Sequence, residues 1–129
     1  MSRAAPAGTL TPDVLPSDHA QGPADAPVTL VEYGDYECSH CGAAHPIVRT
    51  LQRQMGTALR FVFRNFPLKE SHPHATHAAI AAEAVGAHGE TKFWAMHDAL
   101  FTHQDALEDH DLERYAVAAG VPAAEVAEA

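Results

Sequence analysis

Residues 28–42 read VTLVEYGDYECSHCG, a stretch that runs from an apolar segment into the two cysteines of the chain. Its first part, 28–33, is β-branched and apolar and is bounded by a proline and a glycine, which predicts a short and largely buried strand. From Cys38 the apolar residues recur at helical spacing as far as Met55, and Gly56 follows where a helix C-terminal cap belongs. The stretch therefore predicts a strand followed by a helix that begins at the cysteines.

A second strand is predicted at 59–63, whose sequence LRFVF is apolar and aromatic. Because a helix connects the two strands, we expect them to be parallel. This assigns the chain to the α/β class, with a βαβ unit over residues 28–68. The proline-rich residues 1–27 predict an extended lead-in, and only two strands are expected in all.

The remaining residues, 69–129, predict helices. Pro73 suits a first helical turn and an alanine-rich run follows it, while 93–101 and 112–119 repeat apolar residues at helical spacing. Pro122 is expected to begin one more helix. This part of the chain is therefore predicted to be a helical region.

The composition indicates one globular domain, since the chain has 129 residues and 47% of them are hydrophobic. A formal net charge of −9 and the lack of a basic cluster argue against a nucleic acid partner. No apolar run of about eighteen residues and no secretory leader is visible, so we expect no membrane insertion and a cytoplasmic location. In that reducing compartment a cysteine pair is more often catalytic or metal-binding than a structural disulfide.

The cysteine pair has the arrangement of a redox centre. Cys38 lies at the predicted helix start, where unpaired N–H groups and the helix dipole stabilise a thiolate. Cys41 follows one turn later and is close enough to attack a mixed disulfide formed on Cys38. We therefore expect Cys38 to be the nucleophile and Cys41 the resolving thiol. No cofactor is expected, because the electrons pass between sulfur atoms.

Two neighbouring residues are candidates for tuning this pair. His40, between the cysteines, can stabilise the thiolate of Cys38 through its imidazole, although a solvated histidine is the plainer interpretation. Glu32, in the otherwise apolar first strand, is expected beneath the helix start, where a buried carboxyl can accept the proton of the resolving thiol. An edge position that faces water is the alternative for Glu32.

The run VTLVEYGDYECSHCGAAHPIV resembles the thioredoxin-fold disulfide oxidoreductases of the DsbA-like type. The matching details are Glu32 six residues before the first cysteine, His40 directly before the second, and Pro46 five residues after the second. The segments RFVFRNFPL, HPHATHAAIAAEA, KFWAMHDALF and DLERYAVAAGV extend the resemblance to bacterial soluble members and to domains fused to sodium/proton antiporters. The resemblance implies a thioredoxin-like fold, exchange with protein thiols and disulfides, and a redox partner that recycles the cysteine pair.

The resemblance also implies that residues 69–129 are an α-helical insertion in the thioredoxin-like fold. Two further strands and a substrate-binding cis-proline loop are expected after that insertion, and this chain ends before them. A strand of the sheet would then have an unpaired edge. We therefore expect either a truncated form of the fold or a homo-oligomer in which a second copy covers that edge. A catalytically impaired remnant that acts as an interaction module is the corresponding functional alternative.

Zinc is the competing hypothesis for the cysteines, because the chain holds ten histidines. Cys38 and Cys41 together with two histidines would complete a tetrahedral site. The candidate histidines are His72, His74, His77, His97, His103 and His110. Their spacing from the cysteines is not that of a zinc finger, and a cysteine pair that opens a helix after a strand is more typical of redox chemistry, so no metal ligand is assigned.

Overall fold

The structure is a computed structural model that describes residues 13–129. Its strands are β1 (His19–Gln21), β2 (Val28–Gly34) and β3 (Leu59–Asn65). They form one sheet in the order β1–β3–β2, so β3 is central. β2 and β3 are parallel and pair along their whole length, which confirms the predicted βαβ unit.

Five α-helices and one 3₁₀ turn make up the rest of the described secondary structure. They are α1 (Ser39–Met55), the 3₁₀ turn (Gly56–Ala58), α2 (Ala75–Gly86), α3 (Glu90–Thr102), α4 (Asp109–Ala118) and α5 (Ala123–Ala127). The prediction that helices follow the second strand is confirmed. Two helix starts differ slightly from the prediction, because α2 begins two residues after Pro73 and Pro122 is the N-cap of α5.

Helix α1 connects β2 to β3 and carries the second cysteine within its first turn. It continues through Pro46, whose missing N–H removes one backbone hydrogen bond without ending the helix. It stops at Gly56, which has a positive φ of 53° that a residue without a side chain adopts easily. The helix thus has the start and the end that the sequence predicted.

Strand β1 corrects the expectation of only two strands. It lies within the predicted lead-in and pairs antiparallel with β3 over all three of its residues. The ring of His19 stacks on Phe93 with 3.5 Å between centroids, and its nitrogens lie 3.0 Å from Glu83 and 2.8 Å from Glu90. A three-residue strand shows no apolar alternation, so these contacts across the fold, rather than local propensity, hold it in place. Residues 1–12 of the lead-in lie outside the described residues.

The main hydrophobic cluster lies on one face of the sheet. Phe61 and Phe63 of β3 are buried on this face and join Val48 of α1 and the buried sides of α2, α3 and α4 in one hydrophobic cluster. The register of β2 against β3 places Leu30 opposite Phe61 and Glu32 opposite Phe63. Because paired residues share a face of the sheet, the carboxyl of Glu32 lies on the same side as the core.

Both edges of the sheet are open in the described part of the chain, because β1 and β2 each have β3 as their single strand partner and no strand follows β3. The unpaired edge that the sequence predicts for the two parallel strands is the outer edge of β2, since β1 covers the other side of β3. Within residues 13–129, no helix has the length and apolar character needed to cross a membrane.

Candidate redox site

Cys38 is the N-cap residue of α1. Its backbone is extended, with φ −73° and ψ 124°, and its N–H donates to the carbonyl of Asp35 at 3.1 Å. Its own carbonyl accepts the N–H of Gly42 at 3.0 Å, which closes the first helical turn. No side chain caps this helix end with a hydrogen bond. A thiolate on Cys38 would therefore supply the acceptor that the first N–H groups of α1 lack.

Cys41 is the more protected of the two thiols. Both cysteines are free thiols, and Cys41 packs against the hydrophobic core. Burial raises the pKa of the Cys41 thiol, and contact with the Cys38 side chain and the charge of Glu32 add to the rise, while a hydrogen bond to the backbone of Asp35 opposes it. A protonated thiol is a poor nucleophile, so Cys41 needs a base before it can attack.

Glu32 lies half-buried on the sheet face beneath the start of α1. Its Oε2 is 3.1 Å from the point that a Cβ on Gly34 would occupy, and its charge acts on both Cys41 and Tyr36. Burial raises the pKa of the Glu32 carboxyl. Glu32 is thus half-buried on the core face of the sheet and near enough to Cys41 for its charge to act on that thiol, and its part in proton transfer stays a prediction.

His40 is exposed on the first turn of α1. Its side chain has no hydrogen bond or ion pair with any residue in the range 13–129. His40 lies near the cysteines because it stands between them in the sequence. Its effect on the Cys38 thiolate stays a prediction.

Two acidic residues in the loop before the cysteine pair were missed in the sequence analysis. Asp35 is 2% exposed and accepts three hydrogen bonds of 2.8 Å, from the N–H groups of Glu37 and Leu68 and from Nδ1 of His72. Burial acts to raise the pKa of the Asp35 carboxyl, but the bonds from His72 and the two N–H groups outweigh it and lower that pKa. Glu37 in turn accepts the N–H of His74, the N-cap of α2, at 2.8 Å. The loop is thereby fixed to the segment between β3 and α2.

Gln104, just after α3, holds the same loop from another side. Its Nε2 donates to the carbonyls of Tyr36 and Cys38 at 2.9 and 2.8 Å. A Cβ on Gly42 would overlap the Oε1 of Gln104, so the glycine after the second cysteine makes room for this amide. Gln104 lies 66 residues from Cys38 in the sequence, and nothing local marks it as part of the site.

The zinc ligands of the competing hypothesis are not gathered around the cysteines. In the described range, neither cysteine belongs to a group of three or more potential metal ligands. A group that does meet this criterion consists of His45, His97 and Asp98 and has no sulfur ligand. Among the six histidines that the zinc hypothesis named as ligand candidates, His97 belongs to this group.

Comparison with known proteins agrees with this strand–helix–strand arrangement. A family model described as Thioredoxin matches residues 15–129. The chain belongs to the thioredoxin family. This confirms the fold that the sequence around the cysteine pair predicted.

This thioredoxin family member is similar to one part of several larger curated proteins. The chain is 52% identical over 99 residues to "Na(+)/H(+) antiporter NhaA 3" of Salinispora tropica. The aligned region covers 77% of this chain and 15% of that protein. The chain is 47% identical over 114 residues to "Na(+)/H(+) antiporter NhaA 1" of Mycobacterium sp. strain KMS. Here the aligned region covers 88% of this chain and 18% of that protein. The chain therefore spans less than a fifth of the length of these relatives, in keeping with the resemblance to antiporter-fused domains.

Several solved structures of DsbA-type proteins are similar to the structure of this family member. The thiol-disulfide exchange protein alpha-DsbA2 from Wolbachia pipientis has a TM-score of 0.76 at 21% identity, and the match covers 87% of this chain and 58% of that one. Oxidised BdbD from Bacillus subtilis has a TM-score of 0.76 at 28% identity, and the match covers 86% and 64%. These matches confirm the DsbA-like resemblance.

Proposed function

We propose that the chain is a thiol–disulfide oxidoreductase that exchanges disulfides with protein substrates through Cys38 and Cys41. The observation that supports this most directly is the position of Cys38 as the N-cap of α1, with Cys41 in the first turn of the same helix. The first thiol lies at an uncapped helix end, and the second is held against the core. This difference in surroundings suits one thiol that attacks and one that resolves.

The exchange proceeds through a mixed disulfide on Cys38. In the reducing direction, the Cys38 thiolate attacks one sulfur of a substrate disulfide and releases the other sulfur as a thiolate. Cys41 then loses its proton and attacks the Cys38 sulfur, so that the Cys38–Cys41 bond forms and the remaining substrate sulfur leaves as a thiolate. Two electrons pass from the cysteine pair to the substrate. The oxidising direction uses the same intermediate in reverse.

Glu32 is the proposed acceptor of the Cys41 proton. Its carboxyl lies close enough for its charge to raise the pKa of Cys41, and burial raises the pKa of the carboxyl itself. A carboxylate with a raised pKa is a stronger base, so it removes the thiol proton at a smaller free-energy cost. His40 has the proposed role of stabilising the Cys38 thiolate from the solvent side.

Single-cysteine variants test this assignment, because the chain has no other thiol. A small protein with one disulfide serves as substrate, and the products are separated without reductant and weighed by mass spectrometry. We expect Cys38→Ser to abolish exchange and Cys41→Ser to accumulate the mixed disulfide. Equal activity of the two variants would contradict the assigned roles.

The proposed partners are protein thiols and a separate redox protein that recycles the cysteine pair. We further propose a cytoplasmic location. Immunoprecipitation of the Cys41→Ser variant from fractionated cells tests both points, because it retains substrates and recycling partner as mixed disulfides. Recovery with extracytoplasmic partners alone would contradict the location. Ion transport, which the names of the relatives carry, is not proposed for this chain.

A second candidate function is that of an interaction module, and the open outer edge of β2 favours it. An exposed strand edge pairs readily with an added strand, including one from a second copy of the chain. Light scattering of the purified chain tests for the homo-oligomer. Hydrogen exchange then shows whether the β2 amides that point away from β3 gain protection as the chain concentration rises. A monomer in which these outward-facing amides stay unprotected at all concentrations would exclude self-pairing.

A further inference from the structure

Three side chains with metal-ligand chemistry meet where α1 packs against α3. His45 of α1 and His97 and Asp98 of α3 each offer one ligand atom, and these atoms all lie within 4.8 Å of one another. Nε2 of His45 is 3.4 Å from Oδ1 of Asp98. Two imidazoles and one carboxylate form a donor set that suits zinc and other borderline divalent transition metals.

The position of His97 is fixed by its surroundings. The residue is 2% exposed, and its Nδ1 is 2.9 Å from the hydroxyl of Tyr36. Its ring packs edge-on against Phe63 and Trp94, with centroids 4.6 and 4.9 Å away. Metal-bound histidines commonly use the second ring nitrogen for such a hydrogen bond, which sets the tautomer and the ring orientation. When Nδ1–H of His97 donates to the Tyr36 oxygen, the lone pair of the ring is on Nε2, the form that binds an ion.

The carboxylate of the group is a second observation that points to an ion. Oδ1 of Asp98 is buried and has no hydrogen-bond donor among the described residues. Such an oxygen costs free energy unless a donor or a cation satisfies it. The guanidinium of Arg49, partly exposed and 3.8 Å away, is too far for a hydrogen bond.

We propose that His45, His97 and Asp98 form a zinc site with three protein ligands and a fourth position for water or an added ligand. The ion would join α1, whose start carries the cysteine pair, to α3. The site contains no sulfur, so it is separate from the zinc hypothesis for the cysteines and does not depend on their redox chemistry. Its ligands are unaffected when the two thiols form a disulfide.

Zinc chloride titrated into the full chain with its cysteines oxidised to the disulfide tests the proposal, because the sulfurs are then not ligands. Calorimetry gives the stoichiometry and affinity, and thermal melts with and without zinc give an independent readout, since a ligand that binds the folded chain raises its melting temperature. We expect one zinc per chain. Cobalt in place of zinc should give a tetrahedral d–d spectrum without a thiolate charge-transfer band.

Variants locate the ion. His45→Gln and Asp98→Asn change partly exposed residues, so the fold should persist, and each should lower zinc affinity more than 100-fold. Tyr36→Phe keeps the ring but removes the hydroxyl behind His97, and should weaken zinc binding about 10–100-fold.

The matched control is His77→Gln, which removes one member of an exposed His77–Asp109 pair 3.0 Å apart. Among the residues that the structure describes, this pair belongs to no group of three potential ligands. Its zinc affinity should equal that of the parent chain. The proposal is wrong if the oxidised parent binds no zinc, if His45→Gln binds zinc as tightly as the parent, or if His77→Gln loses affinity to the same extent as His45→Gln.

Discussion

Replacing Asp35 with alanine should cost much of the stability of the loop before the cysteines. The N–H groups of Glu37 and Leu68 would lose their acceptor, at about 1–3 kcal/mol each, and the bond from His72 adds about 1.5–3 kcal/mol. Water reaches the partly exposed partners and recovers some of this sum. We therefore expect the free energy of unfolding to fall by about 3–5 kcal/mol.

Urea unfolding at pH 7 measures this loss as a shift of the midpoint at unchanged slope. The matched control is Asp109→Ala, because Asp109 pairs with His77 at a similar distance but both side chains are exposed, so its loss should be about 0–1 kcal/mol. In acid the difference between Asp35→Ala and the parent should shrink. The pKa of Asp35 is lowered in the folded chain, so its contribution is present above the unfolded pKa of about 3.9 and is lost as the pH falls through the folded value. Equal losses for the two variants at pH 7 would refute the reasoning.

Three further predictions concern the site and strand β1. Glu32→Gln should slow exchange about 10–100-fold, and in urea melts it should be more stable than the parent at pH 7 but not at pH 4. The reason is that a raised folded pKa contributes stability below the unfolded value that is lost as the pH rises through the folded one. Gly42→Ala should destabilise the chain by about 1–3 kcal/mol, because the added Cβ overlaps the amide of Gln104. In a double-mutant cycle with Gln104→Ala, strictly additive losses of stability would show that this overlap is not the cause. His19→Gln should lose stability mostly below the folded pKa of His19. Burial acts to lower this pKa, but the hydrogen bonds that His19 donates to the carboxylates of Glu83 and Glu90 raise it overall. A loss of stability that grows as the pH rises would therefore contradict this account.

The strand–helix–strand unit was predictable because its signals are local. The apolar run of β2, the periodicity of α1 and the cap at Gly56 all lie within thirty residues. Strand β1 was not predictable, because three residues carry no usable pattern and His19 is held by residues more than sixty positions away. Local propensity decides the first kind of element, and tertiary contacts decide the second.

The residues of the candidate site also fall into those that local sequence signals predict and those that only tertiary contacts bring together. The position of Cys38 at a helix start and of Glu32 beneath it follow from element order and strand alternation. Asp35 carried a weak signal, as an acidic residue directly after a predicted parallel strand. Gln104 and the pairing of His45 with α3 carried none, since the residues that meet them are far away in sequence and their proximity depends on how α3 docks.

A redox titration of Cys38 and Cys41 in glutathione buffers, read by thiol alkylation and mass, tests the central claim most directly. Zinc is assayed on the same samples. The account predicts one two-electron transition with a midpoint between about −120 and −270 mV, in which both thiols change together and the ratio of reduced to oxidised chain changes tenfold per ~30 mV. Two thiols that alkylate independently, or that show no transition across this range, would contradict it.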